Sequence, residues 1–187
     1  MASILIPLAP GFEELEAVTL IDLFRRANFE VSTAGLLNNP IKASRSTLIN
    51  ADHLLETVKD QDFDLICLPG GQPGTNNLNG SPALRAMLQK QFDRNGLIAA
   101  ICAAPLILAE MGMLDDKKAT SFPDAIDLEK YPKIQYVKEA VVKHGNIVTS
   151  RGPGTAMDFA LFLIELLAGI EKRKNVETPL QRSRPNQ

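Results

Sequence analysis

The stretch LIAAICAAP, residues 97–105, decides how this chain folds. Its first five residues form an unbroken apolar run, which is typical of a strand buried on both faces. Cys102 then comes just before Pro105–Met111, where apolar residues recur at helical spacing. A strand that turns at once into a helix needs small residues two positions either side of the corner, and Ala100 and Ala104 stand there. The sequence therefore predicts a strand-to-helix corner with Cys102 at its apex.

The same alternation of apolar strands and helices runs along the whole chain. Strands are predicted over 3–8, 30–35, 63–68, 137–144 and 147–149, extended or hairpin structure over 41–50, and helices over 13–27, 81–93 and 155–168. Ser81 and Pro82 supply an N-cap and an N1 proline, and Gly169 closes the last helix. Continuous apolar strands between helices indicate an α/β sandwich with a mostly parallel sheet covered on both faces.

Composition narrows the class of protein. With 187 residues, we expect one domain over residues 1–170 followed by a basic, solvated tail over 171–187. A net charge of −2 argues against a nucleic-acid partner, which would need a basic face. Two cysteines within apolar runs, no basic N-terminal signal and no apolar stretch near membrane-spanning length predict a soluble, cytoplasmic protein without a membrane partner.

The strand ends are where ligands bind in such sheets, and they hold the candidate chemistry. A helix beginning after Cys102 would lower the pKa of its thiol and favour a reactive thiolate, although a buried structural cysteine fits this context equally. Cys67 lies mid-strand and is predicted to be core. Gly71 follows the neighbouring strand, and its N–H could join that of Ala103 in an oxyanion hole; a simple tight turn is the alternative.

Three glutamates, Glu13, Glu14 and Glu16, lie at the start of the first helix. They can complement the helix dipole, or one of them can be buried, protonated and hydrogen-bonded to a thiolate; their spacing does not choose which. Neither His53 nor His144 falls at a predicted strand-to-helix corner, which argues against a peptidase with a histidine base. Two histidines and two cysteines without close spacing also argue against a metal site.

Four motifs in order carry a resemblance to a known family: APGFEELEAV at 9–18, LPGG at 68–71, AAICAAP at 99–105 and SRGPGTAMDFAL at 150–161. Together they resemble the ThiJ/PfpI superfamily, and within it the parkinsonism-associated deglycase branch with its bacterial YajL-like relatives. The similarity extends from about Ser3 to Gly169. It implies a flavodoxin-like three-layer α/β sandwich, a homodimer, and an activity that needs no cofactor.

The resemblance also implies roles for individual residues. Cys102 matches the family's reactive cysteine, and Glu16 matches the protonated glutamate hydrogen-bonded to it. Gly71 and Ala103 fall where the family has oxyanion-binding N–H groups. Arg45 matches an arginine that reaches the partner subunit's site.

Three further positions complete the comparison with the family. Arg26 matches a second basic residue near the region of the partner's site, and Gly152–Gly154 matches a turn beside the dimer and site. Where some members carry a histidine before a proline, this chain has Phe122. The substitution argues against a Cys–His dyad and against the PfpI-type protease activity.

These roles imply an enzyme of the glyoxalase or protein deglycase type, acting on small reactive carbonyls or glycated protein adducts. Cys102 would attack the aldehyde to give a hemithioacetal, and Glu16 would move the proton. The alternative is a redox sensor or oxidation-regulated chaperone whose output is the oxidation state of Cys102. The same motifs serve both functions, so they do not discriminate between them.

Overall fold

The computed structural model describes residues 1–37 and 39–182. The strands are β1 (Ser3–Leu8), β2 (Glu30–Gly35), β3 (Ile41–Lys42), β4 (Leu48–Ile49), β5 (His53–Leu54), β6 (Leu65–Leu68), β7 (Leu97–Ile101), β8 (Lys118–Ala119), β9 (Gln135–Tyr136), β10 (Val141–His144) and β11 (Ile147–Ser150). The helices are α1 (Glu14–Arg26), α2 (Leu55–Val58), α3 (Gly74–Asn79), α4 (Pro82–Asp93), α5 (Pro105–Glu110) and α6 (Ala156–Glu177).

A seven-stranded sheet in the order β10-β11-β7-β6-β1-β2-β5 forms the centre of the fold. All neighbouring strands run parallel except β10, which forms a hairpin with β11. Leu68 pairs with Ala100, and Ser150 pairs with Ile101. The carboxyl ends of β6, β7 and β11 therefore meet at one edge of the sheet, where Cys102 lies.

Apolar layers cover both faces of the sheet. Ile4 and Ile6 of β1 belong to one core with Phe24 of α1 and Phe159 of α6, whereas Leu5 belongs to the opposite core. Alternate residues of the same strand are thus buried on opposite faces, as a sheet with helices on both sides requires. The predicted flavodoxin-like three-layer sandwich with a mostly parallel sheet is confirmed.

Helix α6 extends further than predicted. Gly169 has the positive φ expected of a helix end (φ 84, ψ 168), but a second helical segment follows this kink to Glu177. Val176 is buried, and Arg182 pairs with Asp158 at 2.6 Å. The expectation of a solvated tail from 171 onward is therefore wrong for its described part; residues 183–187 lie outside the described residues.

The run Pro153–Leu180 is long and apolar enough to span a membrane by length and composition. Asp158 and Glu165 interrupt the run, so it is not the uninterrupted apolar stretch whose absence the sequence predicts. Two observations identify the run as a core helix: the kink at Gly169 interrupts it, and Leu161, Leu163 and Ile164 are fully buried in the core.

Candidate active site

The backbone of Cys102 is held in an unusual conformation from two sides. Its φ is 65°, a left-handed value that a side chain with a Cβ adopts at a cost of about 1–2 kcal/mol. The Cys102 N–H donates to the Ser150 carbonyl at 2.9 Å, and the Phe122 N–H donates to the Cys102 carbonyl at 2.8 Å. These two bonds fix the corner, and Cys102 is buried there, with 8% of its surface exposed.

The neighbouring turn, Gly70-Gly71, packs directly on this corner. A Cβ on Gly70 would lie 2.6 Å from the Cβ of Cys102, so no other residue fits there without movement. Gly71 has a φ of 90°, and the N–H groups of Gly71 and Ala103 lie near enough to the Cys102 sulfur to act against the rise in its pKa. The structure thus brings together the two N–H groups expected to form an oxyanion hole.

Glu16 is the glutamate that enters the site. It lies in the first turn of α1 and is fully buried, and its Oε2 accepts a hydrogen bond from the Gly70 N–H at 2.8 Å. Its Oε1 is buried without a well-formed hydrogen bond among the described residues, while the side chain contacts the Cys102 thiol. Burial raises the pKa of Glu16 to about 7, against the lowering effect of the Gly70 N–H.

The other two glutamates face the β3–β4 hairpin instead. The Ser44 hydroxyl donates to Glu13 at 3.0 Å and to Glu14 at 2.9 Å, and the Arg45 N–H donates to Glu14 at 2.9 Å. Partial burial disfavours the charge on Glu14, but these bonds to its carboxylate outweigh it and lower the pKa to about 2. The structure therefore separates one buried, proton-holding glutamate from two that anchor the hairpin.

The Cys102 thiol does not have the lowered pKa that the sequence predicted while Glu16 is ionised. Burial and the negative charge of Glu16 raise the pKa of Cys102 to about 12, against the lowering effect of the Gly71 and Ala103 N–H groups. The helix after the corner, α5, has only six residues, so its dipole adds little.

The titrations of the two side chains are nevertheless coupled, because the charge of Glu16 acts on the Cys102 thiol. When Glu16 is protonated, its negative charge is absent, and Oε1–H can donate to the sulfur. The carboxyl group then favours the thiolate instead of opposing it. The thiolate form of Cys102 thus depends on a proton held by Glu16.

Three other predicted positions lie outside the cluster of Cys102, Glu16 and the two glycines. Cys67 is fully buried in β6, and burial raises the pKa of its thiol, so its core role is confirmed. Arg45 is exposed at the hairpin tip beside Glu14. Arg26 pairs with Asp22 at 2.7 Å and lies about 15 Å along α1 from Glu16, so within one chain it does not join the site.

Phe122 and Gly152 contact each other at the rim of the corner. A Cβ on Gly152 would lie 3.2 Å from the Phe122 ring, which is about half exposed. No cluster of three or more potential metal-ligating side chains occurs in residues 1–37 and 39–182. Sequence reasoning missed Gly70, whose N–H binds Glu16; the doubled glycine was the available signal, but only Gly71 was assigned a role.

Comparison with known proteins gives consistent results. The model of the DJ-1/PfpI family matches residues 2–166. The chain is 44% identical to protein dj-1beta of Drosophila melanogaster over 93% of this chain and 94% of that protein. It is 42% identical to the Parkinson disease protein 7 homolog of Danio rerio, over 94% and 95% of the two chains.

A third relative has a name that states an activity. The glutathione-independent glyoxalase DJR-1.2 of Caenorhabditis elegans is 36% identical over 90% of this chain and 89% of that protein. Among solved structures, the oxidized DJ-1 of Toxoplasma gondii superposes with a TM-score of 0.91 at 36% identity, covering 98% of this chain and all of the other. The chain belongs to the DJ-1/PfpI family.

Proposed function

We propose that this protein is a cofactor-independent enzyme of the glyoxalase or deglycase type, which acts on reactive carbonyls through a hemithioacetal on Cys102. The observation that carries the proposal is the buried Oε1 of Glu16, which lacks a well-formed hydrogen bond and belongs to a side chain in contact with the sulfur. A carboxyl group with a pKa of about 7 can both hold and release a proton at neutral pH. The glyoxalase name of the nematode relative agrees with this activity.

The proposed reaction needs no group beyond these residues and water. The Cys102 thiolate attacks the aldehyde carbon of methylglyoxal, and the carbonyl electrons move onto oxygen, which takes the Glu16 proton. The Gly71 and Ala103 N–H groups stabilise the oxyanion as it forms. The Glu16 carboxylate then removes the C1 proton and returns it to C2, while the C1 hydroxyl proton passes to the C2 oxygen, giving a thioester of lactate. Water hydrolyses the thioester, releasing lactate and the thiol.

The same chemistry applies to a glycated amine. In the hemiaminal that methylglyoxal forms with an amine, the C1–N bond breaks as C1–O becomes a carbonyl; the nitrogen takes the Glu16 proton, and the C1 hydroxyl proton returns to the Glu16 carboxylate. The Cys102 thiolate then adds to the released aldehyde carbon, and the hemithioacetal follows the route to lactate. The buried setting of Cys102, at 8% exposure, favours small carbonyls and exposed adducts over folded protein surfaces.

A second candidate function is redox sensing, with or without a chaperone output. A thiolate beside a protonated carboxyl is a site that peroxide oxidises to sulfenic and then sulfinic acid, and a Glu16 O–H would donate to the new oxygen. One observation favours this candidate: the solved structure of the Toxoplasma relative, which has the same fold, is of an oxidized protein.

The deciding experiment follows methylglyoxal consumption and lactate formation without glutathione. We expect Cys102→Ser to lose turnover and keep its fold. The matched control is Cys67→Ser, which alters the other thiol and should keep turnover, because Cys67 is fully buried in the core. Undiminished turnover in Cys102→Ser would overturn the enzymatic proposal. No turnover by the well-folded wild type would favour redox sensing.

We also propose that the protein acts in the cytoplasm as a homodimer. Leu15 and Val18 on α1 are exposed by 52 and 46%, and Leu48, in the hairpin that carries Arg45, is exposed by 61%. A second copy would cover this apolar surface and bring Arg45 towards its partner. Light scattering of Val18→Asp should show a monomer; an unchanged dimer would exclude this surface as the interface.

A further inference from the structure

A cavity of about 400 Å³ lies beside the Cys102 corner but is separate from it. The loop 121–128, Tyr136, Lys138 and Arg151 line the cavity, and neither Glu16 nor Gly71 does. Two of its lining segments are next to the backbone bonds that hold Cys102, because Arg151 follows Ser150, and Ser121 and Pro123 flank Phe122. Its volume falls in the range of small-molecule sites.

The walls of this cavity are largely apolar and are tied together. Ile126, Leu128 and Pro123 supply aliphatic surface on one side, and Tyr136 lies across from the loop. The Tyr136 hydroxyl donates to the Ser121 carbonyl at 3.2 Å, so the loop and β9 are held in register. A ligand with an apolar body therefore meets a site that already has its shape.

The charged groups at the cavity give it a sign. Arg151 and Lys138 contribute two positive charges and Asp124 one negative charge, which leaves a net positive lining. Arg151 also differs from the other arginines within 1–37 and 39–182. The other seven each donate a hydrogen bond from the guanidinium group to a carboxylate, an amide or a carbonyl oxygen. They are Arg25, Arg26, Arg45, Arg85, Arg94, Arg173 and Arg182.

The guanidinium of Arg151 makes no such bond with any of the described residues, although its backbone N–H is fixed on the Ala140 carbonyl. A planar guanidinium with all its donors available is suited to a carboxylate, which it can bind with two parallel hydrogen bonds. The cavity thus combines apolar walls with a cation at its edge, whose backbone is held and whose hydrogen-bond donors are available.

We propose that this cavity is a binding site for a small organic monocarboxylate with an apolar body about the size of benzoate. Arg151 binds the carboxylate, Lys138 adds to the positive potential, and the ring or alkyl chain packs between Ile126 and Tyr136. The site requires no chemistry at Cys102, so this proposal is independent of the proposed enzymatic activity.

The test is a titration of the isotopically labelled wild type with sodium benzoate, followed by amide NMR at constant ionic strength. We expect saturable shifts in residues 121–128, 136, 138 and 151. Neutral benzamide, matched in shape, should bind at least fivefold more weakly. Arg151→Gln should weaken benzoate on the order of fivefold, and Asp124→Asn should tighten it, because each changes one charge at the site.

The matched control is Lys143→Gln, which removes an exposed charge outside the cavity and should leave benzoate affinity unchanged. Lys138→Gln provides a second charge removal should Arg151→Gln perturb the spectrum of the free protein. Equal binding of benzamide, shifts confined to Gly70, Gly71 and Arg45, or benzoate affinity unchanged by both cavity variants would overturn the proposal.

Discussion

The buried carboxyl of Glu16 should make the stability of this protein fall as the pH rises through the weakly acidic range. Its pKa is about 7 in the folded chain against 4.5 for an ordinary glutamate, a difference equivalent to about 3 kcal/mol. Below pH 4.5 both states are protonated. Between pH 4.5 and 7 the unfolded chain loses this proton while the folded chain keeps it, so the free energy of unfolding decreases. Above pH 7 the contribution has been lost.

The comparison is made between Cys102→Ser and Cys102→Ser/Glu16→Gln, because then the Cys102 thiol is no longer coupled to the carboxyl. Urea unfolding followed by far-UV circular dichroism, at one protein concentration from pH 4.5 to 8, gives the free energy of unfolding of each variant. The difference between the two variants should fall by about 3 kcal/mol as the pH rises to 7. Other acids are shared by both proteins and cancel.

Glu14→Gln, compared with its parent protein below pH 4.5 in the same urea measurement, is a control whose pH dependence should have the opposite sign. Hydrogen bonds outweigh partial burial and lower the pKa of Glu14 to about 2, so its stabilising effect exists above pH 4.5 and is lost as the pH falls towards 2. A difference between the Glu16 pair that is independent of pH, or that grows between pH 4.5 and 7, would refute the assignment of Glu16 as a buried, proton-holding group.

Two further predictions concern the corner itself. Glu16→Gln keeps a donor towards the sulfur but cannot transfer a proton, so carbonyl turnover should fall at least 100-fold while iodoacetamide alkylation of Cys102 changes less than tenfold. Glu16→Leu, which keeps no donor, should slow alkylation further. Equal losses of turnover and alkylation in Glu16→Gln would contradict the role of Glu16 in proton transfer. Gly70→Ala should destabilise the fold by about 2 kcal/mol or more and displace Cys102, since the new Cβ would lie 2.6 Å from that of Cys102. Its control, Gly80→Ala, has room for a Cβ at 3.4 Å from the nearest atom and should cost under 1 kcal/mol in the same urea measurement.

Local pattern was sufficient to predict the corner and the strands β1, β2, β6, β7, β10 and β11. It did not predict the short strands β5, β8 and β9 or the identity of the glutamate. The apolar run of β7 and the small residues around Cys102 determine that corner within a few residues of sequence. Which glutamate faces the sulfur depends on the rotation of α1 against the sheet, which is set by the packing of Leu20 and Phe24 in the core. Spacing within the helix places Glu16 on the same face as Leu20 and Phe24, but it does not show that this face is turned towards the sulfur.

The other failures have the same tertiary origin. Helix α3, with the sequence GTNNLN, has no apolar period and was not predicted; its first residue packs so closely on Phe12 that a Cβ would lie 2.5 Å from the Phe12 nitrogen. The raised pKa of Cys102 was missed because burial and the Glu16 charge come from segments distant in sequence. A helix end could be inferred locally, but the desolvation that outweighs it could not.

The close approach of two loops, 11–13 and 70–74, has a consequence for how this site tolerates mutation. Cβ atoms on Gly71 and Gly74 would lie 2.4 and 2.5 Å from backbone nitrogens of the opposite loop, and a Cβ on Gly11 would lie 2.4 Å from the Pro73 ring, so the loops touch largely backbone to backbone. The frame around the reactive sulfur is therefore built of main chain. A saturation mutagenesis map should show narrow intolerance at these glycines, with permissive neighbours such as Gln72. In related proteins, these glycines would then mark the presence of the site as clearly as the reactive side chains do.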